Sequence, residues 1–296
     1  MGLTNITAPH GLAVSGVAIS NSFITTGNVF YESSVSGSNS YNGKSPLRPV
    51  ATLDYAIGLC TASQGDTIIV MPGHAETLAG AGAVTCDIAG ISIVGLGSGA
   101  NRPTFTWSTT GTTWLVTAAN VYISNIRETV SVDSVVVMHT ISGANCTFDR
   151  VDFFETSAVQ ALIWLNTTAA GDFLTIQNCK HIQAAAGCTK WIDLVGSDNT
   201  SIENHRFHVN ATTHVIGGTT TASLQVHIHN NKIVNPANAA SIVLLASSTG
   251  AVTFNTVHSA KTAIAGSVAL ASAYGAENYC NNTANTSGIL DPVADT

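Results

Sequence analysis

Short apolar runs recur along the last two thirds of the chain at a spacing of about 26 residues, with polar positions alternating inside each run. The apolar positions that align at this period are Ile123, Phe148, Ile176, Ile202, Ile228, Phe254 and Cys280. Runs of this length, bounded by Gly, Ser, Thr and Asn, are typical of β-strands, and a fixed period indicates stacked units. The pattern predicts an all-β chain that forms a single-stranded right-handed parallel β-helix of about nine coils.

Asparagine recurs two residues after these apolar positions. Five of the seven aligned positions carry it: Asn125, Asn178, Asn204, Asn230 and Asn282. Asparagine tolerates the left-handed backbone conformation that a tight corner between two strands often requires. Because stacked strands lie about 4.8 Å apart, the amide side chains of successive coils can hydrogen-bond to each other. We therefore predict a structural asparagine ladder along one corner of the solenoid.

The N-terminal third lacks the repeat and is predicted to be organised differently. We expect residues 1–45 to form an arm or attachment region, residues 46–64 a capping segment, and residues 65–296 the β-helix with a short C-terminal tail. The capping segment is predicted to contain a short helix with one apolar face, and Thr52 stands at its N-cap position. The residues of this face are Leu53, Ala56, Ile57 and Cys60.

Two stretches near the cap carry a family resemblance. Residues 49–57 read P-V-A-T-L-D-Y-A-I, and residues 65–77 read G-D-T-I-I-V-M-P-G-H-A-E-T. They resemble the capping helix and the first coil of pectate-lyase-like proteins (the pectin lyase fold), which are common among phage tailspikes and related virion proteins. The resemblance implies a capped β-helix. It implies less about activity, because this fold carries lyases, hydrolases and inert structural parts.

The composition limits the classes of function. Only 9% of the residues are charged, while 45% are hydrophobic and the mean hydropathy is +0.28. No window of about 18 consecutive apolar residues occurs, so we expect no membrane-spanning helix. The formal net charge of −7 argues against a general nucleic-acid binder. A surface with so few charges gives little protection against association, which favours an oligomer or a part of a larger assembly.

The cysteines and the N-terminus bear on the cellular compartment. Six cysteines are present without a CxxC pair, and the N-terminus lacks the charged and apolar regions of a secretory signal. These features favour synthesis in the cytoplasm and buried free thiols over a disulfide framework. Cys146, Cys179 and Cys280 in particular fall in positions that are expected to face inward.

Ten histidines raise the question of a metal site. His227 and His229 are predicted to share one face of a strand because they are two residues apart, and His205 and His208 lie near the preceding corner. Zinc requires three or four converging ligands, whereas these histidines form pairs. The sequence also contains no phosphate-binding loop, dinucleotide fingerprint or Gly-x-Ser-x-Gly elbow. We therefore expect neither a metal nor a cofactor.

Carboxylates are the groups with which polysaccharide-cleaving β-helices act, as acid and base, as nucleophile or as calcium ligands in a groove. Most of the 17 acidic residues in this chain are isolated. The one cluster comprises Glu128, Asp133, Asp149, Asp152 and Glu155. Asp149, Asp152 and Glu155 are the weak catalytic candidates of the chain. The alternative is that the cluster consists of solvated acids that Arg127 and Arg150 partly neutralise.

Basic residues recur four positions after the apolar anchors. The aligned positions are Arg127, Asp152, Lys180, Arg206, Lys232 and His258. Like charges stacked about 4.8 Å apart repel, so this column needs the counter-charge that Asp152 and a partner's acidic surface can supply. We predict an interface at Arg127, Lys180, Arg206 and Lys232, with a sister subunit or with another protein. The alternative is a solvent-facing turn position that accepts any polar residue.

Three functions are compatible with these features. The first is a virion structural protein: a capsid decoration (cement) protein that binds the major capsid protein of a phage as a homotrimer on the head surface, without enzymatic activity. The second is a short tailspike or fibre that binds or cleaves a host surface polysaccharide, and the third is a free-standing lyase or hydrolase. The isolated acids and the lack of a secretory signal favour the first. The tryptophans stand mostly in apolar runs, so we expect core packing of Trp107, Trp114, Trp164 and Trp191.

Overall fold

The computed structural model describes residues 25–155, 159–183, 187–260, 268–270 and 272–280 with their side chains, and the backbone alone at 12–14, 17–19, 281–282 and 289–290. One α-helix, α1 (Leu53–Gly58), and one 3-10 turn, Gly99–Asn101, accompany the strands of this part of the chain. No helix there is long and apolar enough to cross a membrane.

The strands are numbered in chain order. The first ten are β1 (Leu12–Val14), β2 (Val17–Ile19), β3 (Val29–Glu32), β4 (Thr67–Val70), β5 (Ala75–Leu78), β6 (Val84–Cys86), β7 (Ser92–Gly95), β8 (Thr104–Trp107), β9 (Trp114–Val116) and β10 (Tyr122–Ser124). The next ten are β11 (Arg127–Val130), β12 (His139–Ile141), β13 (Thr147–Asp149), β14 (Asp152–Phe154), β15 (Leu165–Thr167), β16 (Thr175–Gln177), β17 (Lys180–Ile182), β18 (Cys188–Asp193), β19 (Ser201–Glu203) and β20 (Arg206–His208). The last ten are β21 (Ala211–Gly217), β22 (Val226–His229), β23 (Lys232–Asn235), β24 (Ile242–Val243), β25 (Gly250–Thr253), β26 (Thr256–Ser259), β27 (Val268–Ala269), β28 (Tyr274–Ala276), β29 (Asn278–Asn282) and β30 (Ile289–Leu290).

Three long sheets run along the solenoid axis, and each coil contributes one strand to each of them. The first sheet has the order β3-β4-β7-β10-β13-β16-β19-β22-β25-β28. The second has the order β5-β8-β11-β14-β17-β20-β23-β26-β29-β30, and the third has the order β6-β9-β12-β15-β18-β21-β24-β27. All neighbours pair in parallel except β29 with β30. The predicted fold is confirmed: an all-β right-handed parallel solenoid, with about eight turns where about nine were predicted.

The core is a continuous stack of inward side chains. In the first sheet, Ile123 is aligned with Phe148 and then with Ile176, and all three are fully buried. The prediction that the tryptophans pack in the core is confirmed, since Trp107, Trp114, Trp164 and Trp191 are all fully buried. All six cysteines are buried with free thiols, as predicted. Burial raises the pKa of the Cys60 and Cys86 thiols to about 12.

The register of the last coils differs from the one that the sequence alignment predicts. Ile228 is aligned with Val252 and not with Phe254, and Cys280 belongs to the second sheet, where it faces Val257. The left-handed corner positions of these coils are occupied by Phe254 (φ 58°) and Glu277 (φ 51°). The last two coils are shorter than the period of about 26 residues suggests, so a fixed period shifts their alignment.

Asn125, Asn178, Asn204 and Asn230 occupy the predicted corner, but of these four only Asn204 and Asn230 are joined by the predicted side-chain hydrogen bond. The backbone φ angle lies between 56° and 59° at all four of these asparagines, as a left-handed corner requires. Asn230 donates from Nδ2 to Asn204 Oδ1 at 2.6 Å. Asn282 does not belong to this column, because it lies in β29 opposite Ser259 of β26. That part of the prediction is wrong.

A second asparagine ladder, one residue further along each coil, faces inward. Asn231, Asn255 and Asn278 are all buried. Asn231 donates from Nδ2 to Asn255 Oδ1 at 3.0 Å, and Asn255 donates from Nδ2 to Asn278 Oδ1 at 3.0 Å. The side-chain oxygens also accept backbone N–H groups: Asn255 Oδ1 accepts the Asn231 N–H, and Asn278 Oδ1 accepts the Asn255 N–H. This inner ladder satisfies the corner's buried backbone groups, as buried polar groups require.

The N-terminal end of the solenoid begins before residue 45. Strand β3 pairs in parallel with β4, and its Phe30 is buried in the core. The solenoid therefore includes residues that the sequence assigned to an arm. For residues 1–24 the assignment to an arm stays a prediction. The structure describes one antiparallel pair of strands there, β1 with β2.

The capping helix lies where it was predicted, with its expected apolar face buried. Thr52 occupies the N-cap position in an extended conformation, but its hydroxyl makes no capping hydrogen bond. The Glu76 carboxylate serves instead, because its Oε2 accepts the Leu53 N–H at 3.1 Å. The buried face comprises Leu53, Ala56, Ile57 and Cys60.

Candidate functional site

The three acidic candidates are held by other groups of the protein. Asp149 is almost fully buried; its Oδ2 accepts the Tyr122 hydroxyl at 3.0 Å, and its Oδ1 accepts Asn178 Nδ2 at 2.9 Å. Arg150 Nε lies 3.0 Å from Asp149 Oδ2, so the expected neutralisation by Arg150 is present. These contacts fix Asp149 at the corner between the first two sheets, where it aligns the strands.

Asp152 and Glu155 are engaged in similar contacts. Arg102 Nη1 donates to Asp152 Oδ2 at 2.6 Å, and the Lys180 N–H donates to Asp152 Oδ1 at 3.1 Å. Glu155 is buried, and its Oε2 accepts the Ala161 N–H at 3.3 Å. The sequence suggested that Arg127 neutralises the acids of this cluster, but the arginine that pairs with Asp152 is Arg102.

The predicted column of cations is formed on the outward side of the second sheet. Arg127 is aligned with Asp152, Asp152 with Lys180, Lys180 with Arg206, and Arg206 with Lys232. His258 is not in this column, because Lys232 is aligned with Thr256 and His258 faces Val234 two residues later. In each strand of this sheet the residue that follows the column position faces inward, because successive side chains of a strand point to opposite faces.

A second outward column runs beside the cations. It consists of Phe154, Ile182, His208, Val234 and His258, which are aligned strand by strand. Between the two columns lies an open groove of about 380 Å³ over β17, β20, β23 and β26. We call this surface the basic face and define it by Lys180, Arg206, Lys232, Ile182, His208, Val234 and His258.

The cations of the basic face have no counter-charge within the described part of the chain. No carboxylate there lies within 4.0 Å of Lys180 Nζ, of the Arg206 guanidinium or of Lys232 Nζ. Asp152, the acid of the same column, is already paired with Arg102. Lys180 Nζ lies 5.3 Å from the centre of the Phe154 ring, and Arg127 lies 5.4 Å from it. Arg206 and Lys232 are exposed, so they are available to an anionic partner.

The histidines divide between the core and the surface. Trp191 Nε1 donates to His181 Nδ1 at 2.6 Å, and His181 Nε2 lies 3.1 Å from the Val151 carbonyl. Burial lowers the pKa of His205 to about 4, so His205 is a neutral core residue. His227 and His229 both face outward, as their spacing predicted, and His229 Nε2 lies 2.6 Å from Glu203 Oε2.

One group of potential ligands converges among the described residues, at the N-terminal end. It consists of Glu32, His74 and Glu76, whose oxygen and nitrogen atoms lie within 4.8 Å of one another. The group has the composition of a metal site. However, His74 Nδ1 accepts the Ser34 N–H at 2.9 Å, which leaves the ring proton on Nε2, the nitrogen that faces the carboxylates. Coordination through Nε2 would move the ring proton to Nδ1, where it would face the Ser34 N–H, so the ring as it is held does not fit a metal.

Sequence reasoning found the cation column but missed its apolar neighbours and the buried group. The signal for Ile182, His208 and Val234 was their spacing of two residues from each cation. The sequence offered less for Glu32 and His74, because only the third dimension brings β3 against the turn before β5. Comparison with protein-family models, with curated proteins and with solved structures gives no match for this chain. The structure itself shows a parallel β-solenoid, an architecture that is consistent with a pectate-lyase-like fold.

Proposed function

We propose that the protein is a virion structural protein, a capsid decoration (cement) protein that binds the major capsid protein of a phage as a homotrimer. The observation that carries the proposal is the basic face. Three cations stand in one column without an intramolecular carboxylate in the described part of the chain, beside the partly exposed Ile182 and Val234. Such a surface combines charge for partner selection with apolar area for affinity.

The role is mechanical. A rigid solenoid that contacts neighbouring coat subunits adds buried area across the seam between them. Three copies held together convert a weak single contact into firm attachment, because the second and third contacts form at high effective concentration. A closed threefold arrangement also covers part of the sparsely charged sides of the rods. The held positions of Asp149, Asp152 and Glu155 support a role without catalysis by these acids.

The acidic partner of the basic face is either the coat protein or a sister subunit. The corner between the third and the first sheets carries Asp172 and Asp198 on the coils that contain Lys180 and Arg206. Asp172 Oδ1 accepts the Asp198 N–H at 2.7 Å, and both acids are partly exposed. Parallel rods at the same axial level would therefore offer acids opposite cations.

A second candidate function has one observation in its favour. Beyond Thr256 the cation column continues to Tyr279, which is 54% exposed. An exposed aromatic ring in line with cations, on coils about 4.8 Å apart, suits the repeat of an acidic sugar chain. This candidate is a short tailspike or fibre that binds or cleaves a host surface polysaccharide.

The two functions differ in the number of copies per particle. We would quantify this chain against the major capsid protein in purified particles by mass spectrometry. Hundreds of copies in a simple ratio to the coat protein are expected for a decoration protein. A handful of copies would assign the chain to the tail and favour the glycan-binding function. Absence from particles would refute both virion roles.

The basic face is tested separately with charge reversal. The variant Lys180→Glu with Arg206→Glu is expected to lose binding to isolated coat assemblies while it keeps its circular dichroism spectrum. Reversal of Glu203, an outward acid of the first sheet, to Lys is the control and should leave binding intact. Unchanged binding of the double variant would contradict the assignment of this face.

A further inference from the structure

The first coil contains a buried polar group that the basic face does not involve. Glu32 at the end of β3 and His74 in the turn before β5 are fully buried, and the Glu76 side chain on β5 is only 12% exposed. His74 Nε2 lies 3.1 Å from Glu32 Oε1 and 3.3 Å from Glu76 Oε2. Neither contact has the geometry of a hydrogen bond, and both carboxylate oxygens of Glu32 are buried without a hydrogen-bond donor.

The protonation of His74 follows from its other nitrogen. The Ser34 N–H donates to His74 Nδ1 at 2.9 Å, so Nδ1 carries no proton and the ring is uncharged. The nitrogen that faces the carboxylates is therefore N–H. It can donate to one oxygen, but it brings no positive charge into the site.

Among the described residues, the site therefore contains two carboxyl groups and no facing cation. Asp54 of α1 accepts the Thr85 N–H at 2.9 Å, and Lys44 donates to Asn28 Oδ1 at 3.2 Å, so both are engaged elsewhere. Two ionised carboxylates side by side without solvent are strongly unfavourable. Glu76 accepts the Leu53 N–H, whereas Glu32 is the more deeply buried of the two. Burial and then the Glu76 carboxylate raise the pKa of Glu32 well above its ordinary value.

The three residues connect separate elements of the cap. Glu32 and Ser34 belong to β3 and the turn after it, and Glu76 holds the first turn of α1 through Leu53 N–H. Ser34 Oγ also accepts the Ala75 N–H at 2.8 Å. A change of charge inside the group therefore acts on the contact between β3, α1 and the first complete coil.

We propose that Glu32, His74 and Glu76 form a buried proton-binding site that fastens the N-terminal cap onto the solenoid and weakens as the pH rises. Glu32 holds the proton, with the Glu76 carboxylate and the His74 N–H beside it. The inference stands independently of the proposed function, because it concerns the end of the solenoid and not the basic face.

The direction of the effect follows from proton linkage. The folded protein keeps a proton on Glu32 that the opened cap releases near the ordinary value of 4.5. The stabilisation is complete below that pH and is lost as the pH rises toward the folded-state pKa. In that range the equilibrium between closed and opened cap shifts about tenfold per pH unit.

Hydrogen exchange of the full-length protein measures this directly. Amides of β3 and α1 in the wild type should lose protection about tenfold per pH unit above about 4.5, after correction for intrinsic exchange. The variant Glu32→Gln cannot ionise and keeps an N–H donor for Glu76, so its protection should not vary with pH in this way. The control Glu203→Gln removes a surface acid and should retain the wild-type slope.

Three results would overturn the proposal. The first is a flat wild-type profile, and the second is an unchanged slope in Glu32→Gln. The third is added Zn²⁺ or Mn²⁺ that raises cap protection in the wild type but not in His74→Gln, which would make the group a metal site. Titration of the Glu32 carboxyl carbon by NMR provides an independent readout, with a transition well above the ordinary range expected.

Discussion

The inner asparagine ladder gives the sharpest test of the structure, through Asn255→Ala. Asn255 is fully buried, and its Oδ1 accepts both the backbone N–H and the Nδ2 of Asn231. Its Nδ2 donates to the Ile228 carbonyl at 2.9 Å and to Asn278 Oδ1 at 3.0 Å. The substitution leaves the Asn231 N–H buried without that acceptor and removes further bonds. At about 1–3 kcal/mol for an orphaned buried group and about 1 kcal/mol for a lost bond, we expect a loss of about 3 kcal/mol.

Asn230→Ala is the matched control, because Asn230 neighbours the inner ladder but lies on the exposed corner. It loses one exposed bond to Asn204 and places alanine at φ 56°, which costs about 1 kcal/mol. Urea unfolding followed by circular dichroism compares the two free energies of unfolding. Asn255→Ala should be the less stable by about 2 kcal/mol. Equal losses, or a larger loss in Asn230→Ala, would refute the inward orientation of the ladder.

Three further outcomes are expected. Double reversal of Lys180 and Arg206 to Glu should weaken assembly or docking in a salt-dependent way without unfolding, as binding measured at low and high salt would show. Trp164→Ala should cost about 3–5 kcal/mol in urea unfolding, because it opens a core cavity and removes the N–H that donates to Glu128 Oε2 at 2.7 Å, whereas Trp164→Phe should lose less. Deletion of residues 1–24 should leave a folded solenoid by circular dichroism, because β3 is retained. The same deletion should abolish docking to the coat protein. Loss of folding would contradict the separation of arm and solenoid.

The basic face shows how a solenoid turns a sequence repeat into a surface. One position in each coil, repeated, becomes a column along the axis, so residues far apart in sequence are aligned as Arg127, Asp152, Lys180, Arg206 and Lys232. Arg127 and Lys180 stand on either side of Phe154, while Arg206 and Lys232 extend beyond it. A cation–ring contact of this kind stabilises the first part of the column.

The sequence by itself determined the strands, their inward and outward positions and the cap. These features are local: side chains of a strand alternate between its two faces, and Leu53, Ala56 and Ile57 repeat at helical spacing. The apolar runs placed the tryptophans in the core, and the recurrence of cations four residues after each anchor placed them in one column. The period of the repeat was sufficient to predict the solenoid, because a repeated unit with one apolar face must stack on its neighbours to bury it.

Only the tertiary structure decided the register of the last coils and the chemistry inside the first one. The period could not show that Ile228 pairs with Val252, because the length of each connecting loop sets where the next coil begins. It also could not distinguish the exposed Asn230 from the buried Asn255, which differ by the position of one residue within a coil. The contact between Glu32 and His74 depends on how β3 packs beneath the first coil. Hydrophobic patterning records which face of a strand is buried, whereas the partners of a buried polar group are set by packing between coils.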